Sequence, residues 1–452
     1  MTQKERQARG KKMDFIPVEC FEIRKINQED QLITPAGYYD RITRILTAAG
    51  MKFTLEDLRP LGPLVTNWKE VDSYDLRYKQ RETLESIVAH ERGYVCWPTG
   101  TGKSFLVGLI CQLLPKAKIV ITTKHLDPLS DLYRNLCGVI PSVGIYSSRK
   151  KVLGHRVMCY STGSLHRVDP TEIDFLIADE VHELATEKSL EQLANFRFCK
   201  MLGLSANHED RFDGADFELE GVFGPLIANL SYSEGVEHGM IVPITVQWQD
   251  VIMDRNPCGG MSGVPALRHG IWRNQWRNAR IAESARAYPD EQVLITVKTI
   301  EHAVHLKRLL PEFQLCYSTM KDDDRDRYIR LGLISEDEPD MTPKRREAMK
   351  LSFERGDLKK VIATSVWNRG VNFKKLQVLI RADASSSAID DTQIPGRLSR
   401  TIEGKDQGIL IDYLDQFDES MSRKAAKRKQ DYQEKMWVQE FPKAHGSSVE
   451  GR

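Results

Sequence analysis

A glycine-rich segment between an apolar stretch and a helical pattern is the first candidate for chemistry. It reads Pro-Thr-Gly-Thr-Gly-Lys-Ser over Pro98–Ser104. Glycines let backbone N–H groups converge on phosphate oxygens, and the first turn of a helix adds partial positive charge. Lys103 is placed to reach the terminal phosphates of a nucleotide, and Ser104 to coordinate Mg²⁺. The segment predicts a nucleoside triphosphate site formed by Thr99, Gly100, Thr101, Gly102, Lys103 and Ser104.

Two adjacent acids, Asp179 and Glu180, follow the apolar stretch Phe175–Ala178. Hydrolysis of a triphosphate needs one carboxylate that holds Mg²⁺ and a second that orients the attacking water. We assign Asp179 to the metal, together with Ser104, and Glu180 to the water. An acid pair at a strand end is usually only a solvated terminus, but its position after a phosphate-binding segment favours catalysis.

Short apolar runs that alternate with helical patterns supply the strands that these residues need. Such runs, bounded by turn residues, are typical of buried parallel strands in an α/β sheet. One set lies between 71 and 243, and a second begins near 290, so we predict two parallel sheets in tandem. The predicted strands are Tyr94–Trp97, Lys118–Thr122, Arg156–Tyr160, Phe175–Ala178 and Met201–Leu204, then Gln292–Val297, Gln314–Tyr317, Val361–Ala363, Val378–Ile380 and Gly408–Ile411.

The length of 452 residues exceeds what one hydrophobic core usually serves. We predict a small α+β domain over 1–70, α/β domains over 71–243 and 244–430, and a C-terminal tail over 431–452. The first contains an amphipathic helix, Tyr38–Ala49, that ends at Gly50. Charges and two prolines predict a surface excursion over 321–346.

Composition limits the classes of function. Hydrophobic residues make up 41% and charged residues 29%, as in soluble globular proteins, and no apolar run is long enough to cross a bilayer. The cysteines are scattered without a CxxC pair, which argues against a zinc site or a disulfide framework and favours a reducing cytoplasm. A net charge of +1 means that any affinity for nucleic acid depends on local patches, backbone amides and hydroxyls.

Two features leave alternatives open. Basic residues cluster at Lys4–Lys12 and at Arg423–Lys429, where contact with DNA and a solvated surface are equally consistent with the sequence. Trp272 and Trp276 stand one helical turn apart, and such aromatics pack in a core more often than they stack on bases.

The phosphate segment together with Asp179-Glu180-Val181-His182 resembles motifs I and II of superfamily 2 helicases of the DEAH-like group. The general phosphate-loop pattern has a glycine where this chain has Trp97, a replacement common in that group. The resemblance implies two tandem RecA-like domains and an ATP hydrolase coupled to movement along nucleic acid. His182 would then couple the ATP site to the nucleic-acid site.

Other segments of the first α/β domain resemble further motifs of that superfamily. Arg77 and Gln80 stand in the segment that reads adenine, and the amide of Gln80 suits the edge of that base. The resemblance places Thr122 and Lys124 in motif Ia and Thr162 in motif Ib, which follow the phosphodiester backbone. Ser205 and Ala206 stand in motif III, where Asn207 replaces the usual threonine and puts its hydroxyl coupling in doubt.

The second α/β domain resembles the family at motifs V and VI. Thr364, Gly370 and Asn372 match motif V; the resemblance implies that Thr364 contacts nucleic acid and that the other two contact ATP. Gln393–Arg400 matches Gln-x-x-Gly-Arg-x-x-Arg at each fixed position. Gln393 would couple the sites, and Arg397 and Arg400 would reach the γ-phosphate, for which the guanidinium fork is suited.

Arg211–Gly214, Gly221–Ile227 and Gly239–Pro243 are similar to the UvsW-type branch-migration helicases of phages and their XPB-like relatives. This implies a monomeric, cytoplasmic DNA helicase or translocase, moving 3′ to 5′ on forked, branched or single-stranded DNA in replication, recombination or repair, with the N-terminal domain engaging duplex DNA. ATP and Mg²⁺ are required. Alternatives are an RNA helicase, a phosphotransferase that uses the same loop, and a DNA-binding scaffold without turnover.

Overall fold

The structure is a computed structural model, and it describes residues 21–26, 29–54, 56, 64–184, 186–206, 215–367, 373–386 and 395–442. The chain divides into two compact units, Met1–Ser231 and Tyr232–Arg452. Among the described residues, no helix combines the length and apolar character that a bilayer crossing needs.

The first unit is built on a sheet whose described strands are parallel except at one edge. In chain order they are β3 (Arg92–Cys96), β4 (Ile119–Thr123), β5 (Val143–Tyr146), β6 (Lys151–Val152), β7 (Val157–Ser161), β8 (Phe175–Asp179), β9 (Lys200–Ser205) and β10 (Leu226–Asn229), after a hairpin of β1 (Glu22–Ile26) and β2 (Glu29–Ile33). Their spatial order is β10-β3-β9-β8-β4-β7-β5-β6, with β6 antiparallel to β5. All five predicted strands of this unit are confirmed within one or two residues.

Helices of the first unit follow the strands. They are α1 (Tyr39–Ala48), α2 (Trp68–Val71), α3 (Gln80–Ala89), α4 (Lys103–Leu113), α5 (Leu126–Cys137), α6 (Glu187–Ala194) and α7 (Ala215–Phe223). Strand β4 is buried along its whole length, and α4 buries residues around most of its circumference. Such continuous apolar runs are required where helices cover both faces of a parallel sheet. The carboxyl ends of the central strands then lie along one edge.

The second unit contains a second parallel sheet. Its described strands are β11 (Ile244–Val251), β12 (Val293–Thr296), β13 (Gln314–Cys316), β14 (Lys360–Ala363), β15 (Val378–Arg381), β16 (Gly408–Asp415) and β17 (Val438–Glu440), in the order β13-β14-β12-β15-β16-β11-β17. The helices are α8 (Tyr232–Glu237), α9 (Gly263–Leu267), α10 (Gln275–Arg286), α11 (Ile300–Leu309), α12 (Asp322–Arg330), α13 (Pro343–Arg355) and α14 (Glu419–Glu434). The five strands predicted here are confirmed.

The described residues between 21 and 56 belong to the first compact unit, and the separate small domain predicted over 1–70 stays a prediction. Tyr38 is 4% exposed and its hydroxyl donates to the carbonyl of Phe217 in α7 at 2.5 Å. Arg41 forms a bidentate pair with Glu220 at 2.8 and 2.6 Å. The sequence pattern located α1 correctly, but it carried no information about the helix against which α1 packs.

The boundary between the α/β units lies at Ser231 and Tyr232, ahead of the predicted 243. Tyr232 packs its ring on Trp437, and its hydroxyl accepts a hydrogen bond from the Ile244 amide at 2.7 Å. These contacts place α8 in the second unit.

Most residues of the segment 321–346, predicted as a surface excursion, are exposed, but the segment is also anchored in the second unit. The segment contains α12 and the start of α13, and Leu333, Ile334 and Met341 between them are buried in the core. Arg325 donates to the backbone carbonyls of Glu336 and Glu338, so this charged side chain stabilises the loop between α12 and α13.

The described part of the predicted tail over 431–452 is also structured. Helix α14 continues to Glu434, and β17 adds to the edge of the second sheet beside β11. Tyr432 and Trp437 are buried and stack with ring centroids 5.3 Å apart. These two aromatic side chains bury enough area to hold the segment against the second sheet, although most of its residues are charged or polar.

Candidate active site

The phosphate segment forms a loop between β3 and α4, as predicted. Gly100 and Gly102 have φ angles of +93° and +103°, a region that side-chain-bearing residues rarely adopt. Thr101 fixes the turn by donating from Oγ1 to the carbonyl of Pro98 at 2.7 Å. Lys103 begins the helix, and its ammonium donates to the carbonyl of Trp97 at 2.9 Å. Loop backbone, ammonium and helix start are therefore arranged to bind phosphate.

The two acids lie at the end of β8, in the same unit as the loop. Burial, and secondly the adjacent Glu180 carboxylate, raise the pKa of Asp179 to about 7, while Lys103 opposes this rise. Glu180 adopts a left-handed backbone conformation with φ of 53°. Its Oε2 is buried and accepts no hydrogen bond from the described residues. Two crowded carboxylates beside an ammonium fit a site for a divalent cation and an attacking water.

His182 connects the acids with the neighbouring strand β9. Its Nδ1 lies 3.4 Å from Glu180 Oε2 and 3.2 Å from the hydroxyl of Ser205, the last residue of β9. The carbonyl of Ser205 accepts from the Trp97 amide at 3.0 Å, so β9 also contacts the first residue before the loop. The predicted coupling residues His182 and Ser205 therefore touch; Ala206 follows directly, and Asn207 lies outside the described residues.

Gln80 lies under the phosphate loop. It is 1% exposed, and its Oε1 accepts from the Arg77 amide at 2.9 Å. A Cβ placed on Gly102 would be 3.7 Å from Gln80 Nε2. In this structure the Gln80 amide therefore lies beside Gly102, whereas Arg77 is exposed. The predicted contacts of both residues with adenine stay predictions.

Three of the four side chains predicted to bind nucleic acid are buried. Thr122 and Thr162 are 0% and 3% exposed, and their hydroxyl oxygens lie 3.1 Å apart in a mutual hydrogen bond. Thr364 is 6% exposed. In this conformation the hydroxyls therefore do not face solvent, and the predicted contacts of these residues with the phosphodiester backbone stay predictions. Lys124 is exposed and donates to the carbonyl of Glu183 at 2.9 Å.

Glu183 is a further residue at this edge of the sheet, and the sequence did not predict its contacts. Its carboxylate is 3.1 Å from His125 Nε2, and its carbonyl accepts from Lys124, so it joins the loop after β4 to the loop after β8. The available signal was its position in the acidic run that contains Asp179 and Glu180.

The arginines predicted to reach phosphate lie on the second unit. Arg397 is 6% exposed and donates to the carbonyl of Trp367 at 2.6 Å within that unit. Arg400 is half-buried and its backbone bridges to Ile241. The predicted residues Gly370, Asn372 and Gln393 lie outside the described residues.

One family model matches residues in each of the two units. The model described as "Type III restriction enzyme, res subunit" matches residues 73–210, and "Helicase conserved C-terminal domain" matches residues 277–401. "Putative helicase 22" of Sulfolobus islandicus filamentous virus is 21% identical, covering 79% of this chain and 67% of that protein.

Two solved structures share the fold at low identity. The Type ISP restriction-modification enzyme LlaBIII bound to DNA has a TM-score of 0.55 at 13% identity, covering 83% of this chain but only 32% of the enzyme. Saccharomyces cerevisiae Dbp5 bound to RNA and ADP BeF3 has a TM-score of 0.55 at 13% identity, over 82% of this chain and 92% of Dbp5. The structure of T4 UvsW is a further match at 15% identity, with a TM-score of 0.38. The match covers 90% of this chain and 87% of UvsW.

Proposed function

We propose, from the premise that this chain belongs to superfamily 2 of the helicases, that it is an ATP-driven DNA helicase or translocase acting on forked or branched DNA. The observation that carries the proposal is the meeting of Lys103, Asp179 and Glu180 at one edge of the first sheet. A phosphotransferase would not require the second helicase unit.

ATP hydrolysis follows from the groups at this edge. The loop amides and Lys103 bind the β- and γ-phosphates, and Glu180 orients a water in line with the γ-phosphate. Mg²⁺, which Ser104 and Asp179 would hold, supplies positive charge to the phosphate oxygens. The buried Glu180 Oε2, which accepts no described hydrogen bond, is suited to take the water's proton.

Loss of the γ-phosphate would be signalled through His182. Its contact with both Glu180 and Ser205 lets a change at the acids alter the end of β9. We further propose that Arg397 and Arg400 contact the γ-phosphate in the ATP-bound state. Binding and release of phosphate would then produce the two states of a motor.

The choice of DNA over RNA rests on sequence. Gly221–Ile227 and Gly239–Pro243 resemble branch-migration helicases. LlaBIII is bound to DNA and Dbp5 to RNA, so fold alone favours neither. The rival function is an RNA helicase. Movement 3′ to 5′, action as a monomer, and roles in replication, recombination or repair are part of the same proposal.

Strand-separation assays test the choice of substrate. Forked DNA, four-way DNA junctions and a matched RNA fork are compared at two salt concentrations, because phosphate contacts weaken as salt rises. Faster ATP-dependent separation of the DNA fork and junction supports the proposal. Separation of the RNA fork alone contradicts it.

A further inference from the structure

The β5–β6 hairpin carries basic and aromatic residues to the edge of the first sheet. Tyr146 ends β5, Lys151 begins β6, and the two are register partners. Arg149 and Lys150 lie in the connecting turn and are exposed. The sequence Arg-Lys-Lys is the only part of this feature visible along the chain.

Arg167 joins the hairpin through space. It ends the short helical turn Thr162–Arg167 that follows β7. Its guanidinium carbon is 5.6 Å from the Tyr146 ring centroid, and the Lys151 ammonium is 5.3 Å from the same centroid. Tyr146 stacks on Tyr160 of β7 with centroids 5.6 Å apart and an interplanar angle of 20°. The cations of Lys151 and Arg167 therefore both lie beside the stacked pair of tyrosine rings.

The register of the sheet connects these residues with the segments predicted to follow nucleic acid. Thr122 of β4 pairs with Tyr160, Tyr160 with Tyr146, and Tyr146 with Lys151. Register partners on adjacent strands point to the same face at strand spacings of about 4.8 Å. The row runs from the motif Ia strand, through the motif Ib strand, to the basic hairpin.

No acid among the described residues neutralises the cations around the rings. In the described part of the chain, Lys150, Lys151 and Arg167 form no ion pair with a carboxylate, whereas Arg149 pairs with Asp127. The Lys150 ammonium lies 4.5 Å from the Tyr133 ring centroid. A ring attracts a cation but occupies none of its N–H donors strongly, so these groups remain available to phosphate oxygens.

We infer that Tyr146, Lys150, Lys151, Tyr160 and Arg167, the hairpin patch, bind the phosphodiester backbone of a nucleic-acid strand beyond motif Ib. This inference rests on the proposed function and extends its strand-binding surface. The tyrosine pair orders the cations and reduces the side-chain entropy lost on binding. Because the contacts go to phosphate, the patch contributes affinity without sequence preference.

Binding of the full-length protein to a labelled single-stranded DNA, measured by fluorescence anisotropy from about 50 to 200 mM salt, tests the inference. Each lost phosphate contact reduces the slope of log affinity against log salt by about 0.7 for a single strand. Lys151→Gln with Arg167→Gln should therefore reduce the slope by about 1.4 and raise Kd roughly 10- to 30-fold near 0.1 M salt. Arg149→Gln, which removes a cation already paired with Asp127, is the matched control and should stay near the wild-type Kd.

The salt slope separates the inference from misfolding and from the proposed function. A misfolded variant would lose affinity at every salt concentration without this change of slope. The double variant Lys151→Met with Arg167→Met keeps the apolar stems of both side chains. It should show the same slope as the glutamine variant. If the wild type binds DNA and the double variants match Arg149→Gln in Kd and slope, the inference is overturned while the proposed motor stands. If the wild type binds no nucleic acid, both are overturned. A reduced slope in a protein that hydrolyses no ATP would support the patch and contradict the motor.

Discussion

The imidazole of His182 lies 3.2 Å from the hydroxyl of Ser205 and 3.4 Å from Glu180 Oε2, so one side chain joins the ends of β8 and β9. The side chain of Glu180 and the end of β9 are therefore linked through His182. We propose that this contact transmits the state of the nucleotide.

Removing either partner of this contact should uncouple ATP hydrolysis from nucleic acid. We expect His182→Ala and Ser205→Ala each to reduce the stimulated kcat about 10-fold and to change the unstimulated rate much less. Their effects should be strongly non-additive in a double-mutant cycle, because both remove the same contact. Ser130→Ala, which removes a helix hydroxyl bonded to Leu126, is the control. Additive effects would argue against a shared coupling contact.

Lys103→Ala should abolish ATP turnover. The ammonium supplies charge to phosphate oxygens, and loss of one such group typically reduces kcat about 100-fold or more. Lys118→Ala, an exposed lysine in the same unit, should leave the rate unchanged. Phosphate release at saturating ATP measures both. Turnover by Lys103→Ala within a few-fold of wild type would exclude this loop as the catalytic site.

The N-terminal helix should depend on Tyr38 for its attachment. Truncation of this buried ring to alanine removes packing against α7, for which about 3 kcal/mol is a typical cost, and the hydrogen bond to Phe217. Arg41→Ala, which breaks an exposed ion pair with Glu220, should cost less than about 1 kcal/mol. Limited proteolysis should therefore release the N-terminal segment much faster from Tyr38→Ala than from Arg41→Ala. Equal cleavage rates would contradict the described packing.

Two ion pairs with no exposed surface secure α10 and α14 to the second sheet. Arg277 pairs with Asp415 and Arg428 with Asp412, and all four side chains are 0% exposed. Removing one partner leaves an uncompensated buried charge, which costs about 3–5 kcal/mol. We expect Asp412→Ala to lower the free energy of unfolding by this amount in a urea titration. Asp431→Ala, which breaks an exposed pair with Lys427, should change it by less than about 1 kcal/mol.

The stability of the second unit should fall in mild acid because of His302. Burial, and secondly the nearby Arg277 charge, lower the pKa of His302 well below 6.5 in the folded protein. The unfolded chain therefore binds an additional proton as pH falls below about 6.5, and stability decreases by up to about 1.4 kcal/mol per pH unit. Urea titrations between pH 5 and 7 should show a weaker slope for His302→Gln than for wild type. His166→Gln, at an exposed position, is the control, and equal slopes in all three proteins would contradict the assignment.

The sequence predicted the buried strands and the phosphate loop because local signals determine both. Apolar runs such as Phe175–Ala178 have few alternatives to a buried strand. The glycines of the loop indicate a backbone with positive φ angles, which other residues rarely adopt. The inward hydroxyls of Thr122 and Thr162 could not be predicted, because each is determined by the other, which lies in a separate segment of the chain. The hairpin patch depends on the strand pairing that brings Arg167 close to Tyr146. Neither of the two segments alone predicts that pairing.

We propose above all that nucleic acid drives ATP turnover at Lys103, Asp179 and Glu180. The most direct measurement is the rate of phosphate release with and without single-stranded DNA, forked DNA and RNA, for wild type and Glu180→Gln. We predict at least about 10-fold stimulation of wild type by DNA and a loss of about 100-fold or more in the variant, since the group that orients the water is removed. A wild-type rate unchanged by every nucleic acid, or a Glu180→Gln variant as active as wild type, would contradict the account.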